Sequence, residues 1–279
     1  MPGVHIVTDS ACDLPSEVVD KLGIRVVPLS IRFGDEEFTD GAQLSATEFY
    51  ARMAQTDVLP STAAPAPGAF EAAFREAAAD GGSVLCINLS AQLSATMQSA
   101  ETAARALEGE VDVTVIDSRS ITAGLGSQVV EAAEAAADGA DMVDLVALIE
   151  DRRERTHVFG ALDTLDNLRK GGRIGGAQAL IGSMLSIKPI VDISSGKVEE
   201  AGKARTRRKA MAWLRDKVFA AGEVERLTIC TGGAPEVEDM RDLLSPRYDR
   251  DEIGVCTIGP VIGAHGGPRV LGLAWLDPR

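Results

Sequence analysis

Short runs of aliphatic and β-branched residues alternate along the first half of the chain with longer Ala-rich amphipathic stretches. VHIVTDS (4–10) is followed by LPSEVVDKLG (14–23), and IRVVPLSIRF (24–33) reads as one strand entering a hairpin through GDEEFTDG (34–41). PGAFEAAFREAAADGG (67–82), SVLCINLS (83–90), SATMQSAETAARALEG (94–109), VDVTVIDS (111–118) and TAGLGSQVVEAAEAAADG (122–139) continue the alternation. Strands separated by helices of this length predict right-handed βαβ units and a mostly parallel sheet.

A helix over DMVDLVALIEDRRERT (141–156) precedes a change of character near residue 155. HVFGALDTLDNLRKGGRIGG (157–176) comes next. A two-stranded unit is expected over SIKPIVDISSGKVEEAGKAR (186–205), then a helix over TRRKAMAWLRDKVFAAG (206–222) and a strand over RLTICTGG (226–233). A helix from Pro235 to Leu244 and two terminal strands complete the pattern. The expected fold class is α/β with two domains. Residues 1–155 form a parallel-sheet βαβ domain, and residues 156–279 form a second α/β domain with a mixed sheet.

Composition narrows the functional classes. The 279 residues are 45% hydrophobic, enough for a real core, yet no apolar run approaches the ~20 residues that span a bilayer. The first twenty residues lack the basic start and apolar stretch of a signal peptide, so a soluble cytoplasmic protein is expected. Four cysteines without a CxxC pair read as reduced, mostly buried thiols. The net charge of −14 argues against nucleic acid as a partner. Residues 152–217 nevertheless carry 15 Lys/Arg against 7 Asp/Glu, a basic segment inside an acidic protein. It reads either as a solvated helix face or as an anion site or docking patch for an acidic partner.

In parallel α/β sheets, ligands gather beyond the carboxyl ends of the strands. Here those ends are hydroxyl-bearing turns: Thr8-Asp9-Ser10, Leu89-Ser90 and Asp117-Ser118. Ser61 and Thr62 lie just before a Pro-started helix, and Ser94 lies at the start of another. Hydroxyls in such places cap a helix or help to hold an anion, and the residues alone leave both roles open.

Nucleotide motifs fail. GKVEEAGKA (196–204) has one residue too many between its glycines for a phosphate loop, and Ala204 where a hydroxyl would hold magnesium. GLGSQV (124–129) has Val129 where a dinucleotide fingerprint needs its third glycine. His5, His157 and His265 form no metal-ligand spacing, so no metal is expected. A Ser–His nucleophile pair stays open because triads assemble in space, although no GxSxG elbow is present. His265, in the glycine-rich IGPVIGAHGGP (258–268), is by its residues alone a base, a ligand donor or an ordinary turn residue.

VTDSACDLP (7–15), LPSTAAPAPGAF (59–70), LSAQLSATMQSA (89–100), LDTLDNLRKGGRI (162–174), SIKPIV (186–191) and IGPVIGAHGGP occur in the order and approximate spacing of the DegV family. The chain resembles that family over essentially its whole length. The family contains the fatty-acid-binding subunits of bacterial fatty acid kinase. The resemblance implies a long-chain fatty acid held in a tunnel between two domains. A separate ATP-binding kinase subunit would phosphorylate its carboxylate to an acyl phosphate that feeds phospholipid synthesis, with at most transient contact with a membrane surface.

ATP and magnesium would then belong to the kinase, and this chain would need no cofactor and catalyse no step itself. By motif match, Thr62 and Ser94 would bind the carboxylate, with Ser61, Ser90 and His265 at the same polar end. Arg169, Arg173, Arg205 and Arg207 would form a basic surface for docking. His265, lacking a nameable nucleophile or acid partner, would serve as a hydrogen-bond donor. Ala63, Ala64, Met97, Gly266 and Arg269 depart from the family pattern, at positions that bear on acyl-chain preference. A carrier or sensor of another amphipathic carboxylate, or a Ser–His enzyme, is the alternative.

Overall fold

The computed structural model describes residues 3–180 and 187–279. The first part of the chain runs β1 (Val4–Asp9), α1 (Ser16–Leu22), β2 (Arg25–Val27), β3 (Ser30–Phe33), β4 (Glu36–Thr39), α2 (Ala46–Gln55), β5 (Ser61–Ala63), α3 (Pro67–Ala77) and β6 (Ser83–Asn88). It continues through α4 (Thr96–Ala106), β7 (Val113–Asp117), α5 (Thr122–Ala137) and α6 (Met142–Arg155). The remainder is β8 (Thr156–Ala161), α7 (Asp166–Lys170), β9 (Lys188–Asp192), β10 (Glu199–Ala204), α8 (Arg207–Ala221), β11 (Glu225–Thr231), α9 (Val237–Leu244), β12 (Gly254–Thr257), α10 (Pro260–Gly266) and β13 (Leu271–Leu276). Ser186, the first residue of the SIKPIV motif, lies outside the described residues.

The two expected sheets are present. A parallel sheet has the order β2-β1-β6-β7, and a mixed sheet has the order β10-β9-β8-β13-β11-β12, parallel only between β11 and β12. A third sheet, the antiparallel β4-β3-β5, was not expected. It arises where IRVVPLSIRF, read as one strand, breaks at Pro28. Proline has no N–H for a ladder, so β2 stops at Val27 in the parallel sheet and β3 restarts at Ser30 in another. The hairpin between β3 and β4 does form, around Gly34 at φ +59°.

Packing follows the face each element presents. Phe70 and Phe74 of α3, with Ala100 and Ala103 of α4, cover one face of the parallel sheet against Val7, Val84 and Cys86. On the other face α5 is buried on most sides, because it lies between the parallel and mixed sheets. The apolar core around α5 is continuous from Ile6 and Ile87 to Val158 and Val191. The far face of the mixed sheet carries Phe159, Leu271, Leu273 and Trp275 under α8 and α9. Buried on both faces, β13 reads LGLAWL without alternation. GLGSQV falls inside α5 rather than at a strand–helix turn, a second reason it is no dinucleotide loop.

Candidate functional site

The rim of the parallel sheet is polar, but its groups satisfy one another. Asp9 accepts hydrogen bonds from Asn88 Nδ2 at 3.1 Å, Leu89 N at 2.8 Å and Ala11 N at 3.1 Å. Burial raises its carboxyl to about 6 in spite of these donors. Ser90 is fully buried and donates to the Gly196 carbonyl at 2.6 Å, tying two loops together. It does not line the cavity described next.

A narrow cavity lies between the mixed sheet, α10, the start of α5 and the strand ends of the parallel and three-stranded sheets. Leu29, Leu168, Val191, Ile193 and Val270 are typical of its wall. Four of its lining residues, Thr62, Ser94, Arg173 and His265, form a polar group at one end.

Thr62 reaches the cavity through strand alternation. In β5 it is half-buried and points inward, while its neighbours Ser61 and Ala63 are exposed. Ser61 therefore faces away from the cavity. Ser94 sits in the loop before α4, where its hydroxyl pairs with Thr96 Oγ1 at 2.8 Å and accepts from Thr96 N at 3.3 Å. Its hydroxyl thus satisfies one free N–H at the start of α4 and also borders the cavity.

His265 is on the last turn of a short helix, α10, rather than in a turn. Three side chains from separate elements fix that helix. Tyr50 Oη donates to the Ile258 carbonyl at 3.0 Å, Asp13 Oδ1 accepts from Gly259 N at 3.0 Å, and Asn167 Nδ2 donates to the Ala264 carbonyl at 3.1 Å. Ile258, Val261, Ile262 and His265, at helical spacing, face the cavity along one side.

His265 Nε2 lies 3.0 Å from Thr62 Oγ1. Its Nδ1 is buried without a hydrogen-bond partner and abuts the backbone of Gly171, where a Cβ would stand 2.5 Å away. Burial, helped by the Arg173 charge, pushes the imidazole down to about 4, so it is neutral at pH 7.

The four arginines read from the sequence separate. Arg173 is the one that lines the cavity, held by its Nε on the Leu93 carbonyl at 3.1 Å and its Nη1 on the Gly171 carbonyl at 2.7 Å. Arg169 is exposed on α7 and pairs with Asp166 at 3.2 Å. Arg205 is exposed beyond β10. Arg207, expected on an open basic surface, is instead an internal tie. Its side chain is only 13% exposed, pairs with Glu236 at 3.6 Å and donates to the carbonyls of Ala161 and Arg269.

The sequence did not point to four further cavity residues, Thr122, Gly160, Cys230 and Gly272. The glycines inside VFGAL and VLGLAW were the available signal, since a glycine within a strand marks a close approach. Among the described residues no group of three His, Cys, Asp or Glu is placed to hold a metal. No helix among them is long and apolar enough to cross a membrane.

Fold and cavity together define a multi-sheet α/β protein enclosing a narrow apolar chamber with a single polar end. The model of the DegV family, whose members are described as uncharacterised, matches residues 3–277. The chain belongs to the DegV family. It is 36% identical over 280 residues to a DegV domain-containing protein of Deinococcus radiodurans, covering 99% of this chain and 98% of that one. A DegV domain-containing protein of Streptomyces coelicolor is 37% identical over 277 residues, covering 97% of each. Among solved structures, a fatty-acid-binding DegV family protein of Thermus thermophilus superposes with a TM-score of 0.91 at 33% identity, covering 99% of this chain and 100% of that one. DegV of Bacillus subtilis, a fatty acid binding protein, gives a TM-score of 0.87 at 27% identity and covers both chains fully, at 100%.

Proposed function

We propose that this protein binds a long-chain fatty acid in the cavity and presents its carboxylate to a separate ATP-dependent kinase, which converts it to an acyl phosphate. The observation that carries the reading is the single polar cluster at one end of an otherwise apolar chamber. Relatives of the same fold that bind fatty acids support it.

A sixteen-carbon acyl chain has about 14 methylenes, and burial of each stabilises by ~0.8 kcal/mol, on the order of 11 kcal/mol before ordering costs. Each head-group hydrogen bond contributes about 1–3 kcal/mol. The tail sets affinity and the head sets orientation. Thr62 and Ser94 donate hydroxyls to the carboxylate, neutral His265 donates one N–H, and Arg173 supplies a cation that keeps the acid ionised and nucleophilic.

Presentation has a structural route. Leu93, Ser94, Arg173 and Val198 border both the cavity and an open surface cleft, which is also lined by Gly172, Gly175, Gly176 and Lys197. In this reading the carboxylate would face the mouth where these two spaces meet. Exposed Arg205 and Lys197, with Arg169 in its surface pair to Asp166, offer positive charge to an acidic partner surface. In this reading a carboxylate oxygen attacks the terminal phosphorus of ATP, ADP leaves, and nucleotide and magnesium reside on the kinase. The carrier would be cytoplasmic, where ATP is abundant.

A Ser–His hydrolase fits less well. The His265 ring pairs with Thr62 rather than Ser94, and no carboxylate orients its Nδ1, so the hydroxyl–imidazole pair lacks the third member that activates a nucleophile. Native mass spectrometry of the purified chain, followed by lipid extraction, tests the main reading. A co-purifying long-chain fatty acid is expected; repeated isolation without one, together with no palmitate binding, would overturn it.

A further inference from the structure

We propose that the wall formed by Thr122 and Cys230 closes the cavity opposite its mouth and sets the longest acyl chain that it accepts. This rests on the fatty-acid reading and adds a specificity device to it.

Strand register gives the direction of the cavity. Val191 of β9, Gly160 of β8, Gly272 of β13 and Cys230 of β11 stand opposite one another in a single row across the mixed sheet. All four line the cavity. Neighbouring strands lie about 4.8 Å apart, so the row spans roughly 14 Å across the strands. Its centre has no side chains, because the two middle positions are glycine. The next residue in the row, Cys256 of β12, is in register with Cys230 but lines a different space, an open groove on the outside. The cavity therefore stops between β11 and β12.

The helix above the row runs the same way. Gly259, at the start of α10, borders the outer groove, and Ile258, Val261 and Ile262 carry the cavity wall along to His265 at the mouth. Along α10 itself, from Pro260 to His265 is five steps of ~1.5 Å, about 8 Å. Sheet and helix agree that the head group and the Cys230 end are opposite ends of one passage.

Thr122 completes the closed end. It lines the cavity, its Oγ1 lies 3.5 Å from Cys256 Sγ, and the next residue, Ala123, already lines the outer groove. One layer of side chains thus separates chamber from groove. Thr122 also adopts φ +46°, a left-handed conformation that a β-branched residue rarely takes. Such strain persists where the surroundings hold a side chain in a required place. Here that place is the end wall.

Two substitutions move the wall in opposite directions. Thr122→Gly removes the side chain and suits the positive φ, opening the chamber toward the groove. Cys230→Leu fills the end and shortens it. Each accommodated or displaced methylene changes affinity about fourfold. Laurate, palmitate and docosanoate would be titrated against bound cis-parinaric acid on the full chain, with circular dichroism confirming the fold.

Thr122→Gly is expected to raise the docosanoate-to-palmitate affinity ratio at least ~4-fold, and Cys230→Leu to raise the laurate-to-palmitate ratio by a similar factor. Either shift in a folded variant supports the wall. Unchanged ratios in a folded variant that still binds palmitate overturn it. If the wild type binds none of the three acids, the fatty-acid reading itself falls, and the wall assignment with it.

Discussion

The two ends of the cavity are built by different means. The polar end gathers Thr62, Ser94, Arg173 and His265 from four loops and short elements that are far apart in sequence, with one contact, Thr62 to His265, spanning 203 positions. The closed end is built from Cys230, placed by cross-strand register in the mixed sheet, and Thr122 at the start of α5. The polar end has specific hydrogen bonds and small contact energies, whereas the apolar passage has no specific bonds and most of the burial. A carrier of the proposed kind would thus separate what holds its ligand from what aims it.

The sharpest way to break that division is to obstruct the passage. A Cβ on Gly160 would meet nothing closer than Val191 Cγ2 at 3.7 Å, so the fold has room for a side chain there, but the ligand does not. Gly160→Leu should displace about four methylenes and weaken palmitate binding on the order of 100-fold. Its melting temperature should stay level or rise, as a strand glycine is replaced. Fluorescent-probe displacement alongside thermal unfolding checks this. Undiminished affinity would mean that the acyl chain does not cross the sheet at Gly160.

The next effect is one of pH at the polar end. His265 is held near 4 against an ordinary value of 6.5, so the folded state disfavours its proton. Stability from this group is full above pH 6.5 and is lost as pH falls toward 4, up to about 3 kcal/mol for the whole difference. Asp9 and Asp40 work in the opposite sense. Burial raises both to about 6, so they favour the folded state as pH falls through that value. The wild-type curve alone mixes these opposing contributions. The difference between wild type and His265→Gln removes the carboxyl contributions, and it should shrink steadily from pH 7 to pH 4 in paired urea titrations. A constant difference would show that the imidazole titrates freely and is not enclosed.

These contrasts explain what the sequence made legible. The βαβ alternation and the mixed second sheet followed from local patterns, and of the five head-group candidates three, Thr62, Ser94 and His265, line the cavity. Ser61 and Ser90 were grouped with Thr62 and Ser94 because they are close in sequence. Proximity along a strand places neighbours on opposite faces, and proximity in a loop does not say which carbonyl a hydroxyl will find. Arg207 was assigned to the basic surface by the family resemblance; only the fold shows Glu236 and two carbonyls around it. The strand glycines Gly160 and Gly272 signalled a close approach without naming what approaches, and Cys230 and Thr122 gave no signal, since cross-strand register and helix placement are properties of the folded chain. The third sheet was signalled by Pro28, whose missing donor forbids one continuous strand.

A smaller effect separates aiming from holding. Thr62→Ala and Ser94→Ala should each weaken palmitate binding by roughly 5–10-fold, the cost of about one hydrogen bond near 1 kcal/mol. Turnover in a reconstituted assay with the kinase and MgATP should fall much further, because a carboxylate free to rotate is poorly placed for in-line attack. Equal losses in binding and turnover would place the two hydroxyls with the tail, as part of the holding apparatus.

The smallest expected effect is the strictest check on the geometry. Ser61 is the neighbour of Thr62, has the same chemistry and lies in the same three-residue strand, but β5 alternates and turns it outward. Ser61→Ala should leave palmitate affinity and kinase-coupled turnover within about twofold of wild type, since an exposed hydroxyl is replaced without loss of a ligand contact. A change comparable to that of Thr62→Ala would mean that β5 is rotated or shifted by one residue against β3. Ile31 would then face Ser61 in place of Thr62, and the pairing that carries Thr62 to His265 would be lost. One conservative substitution therefore tests the register on which the whole polar end depends.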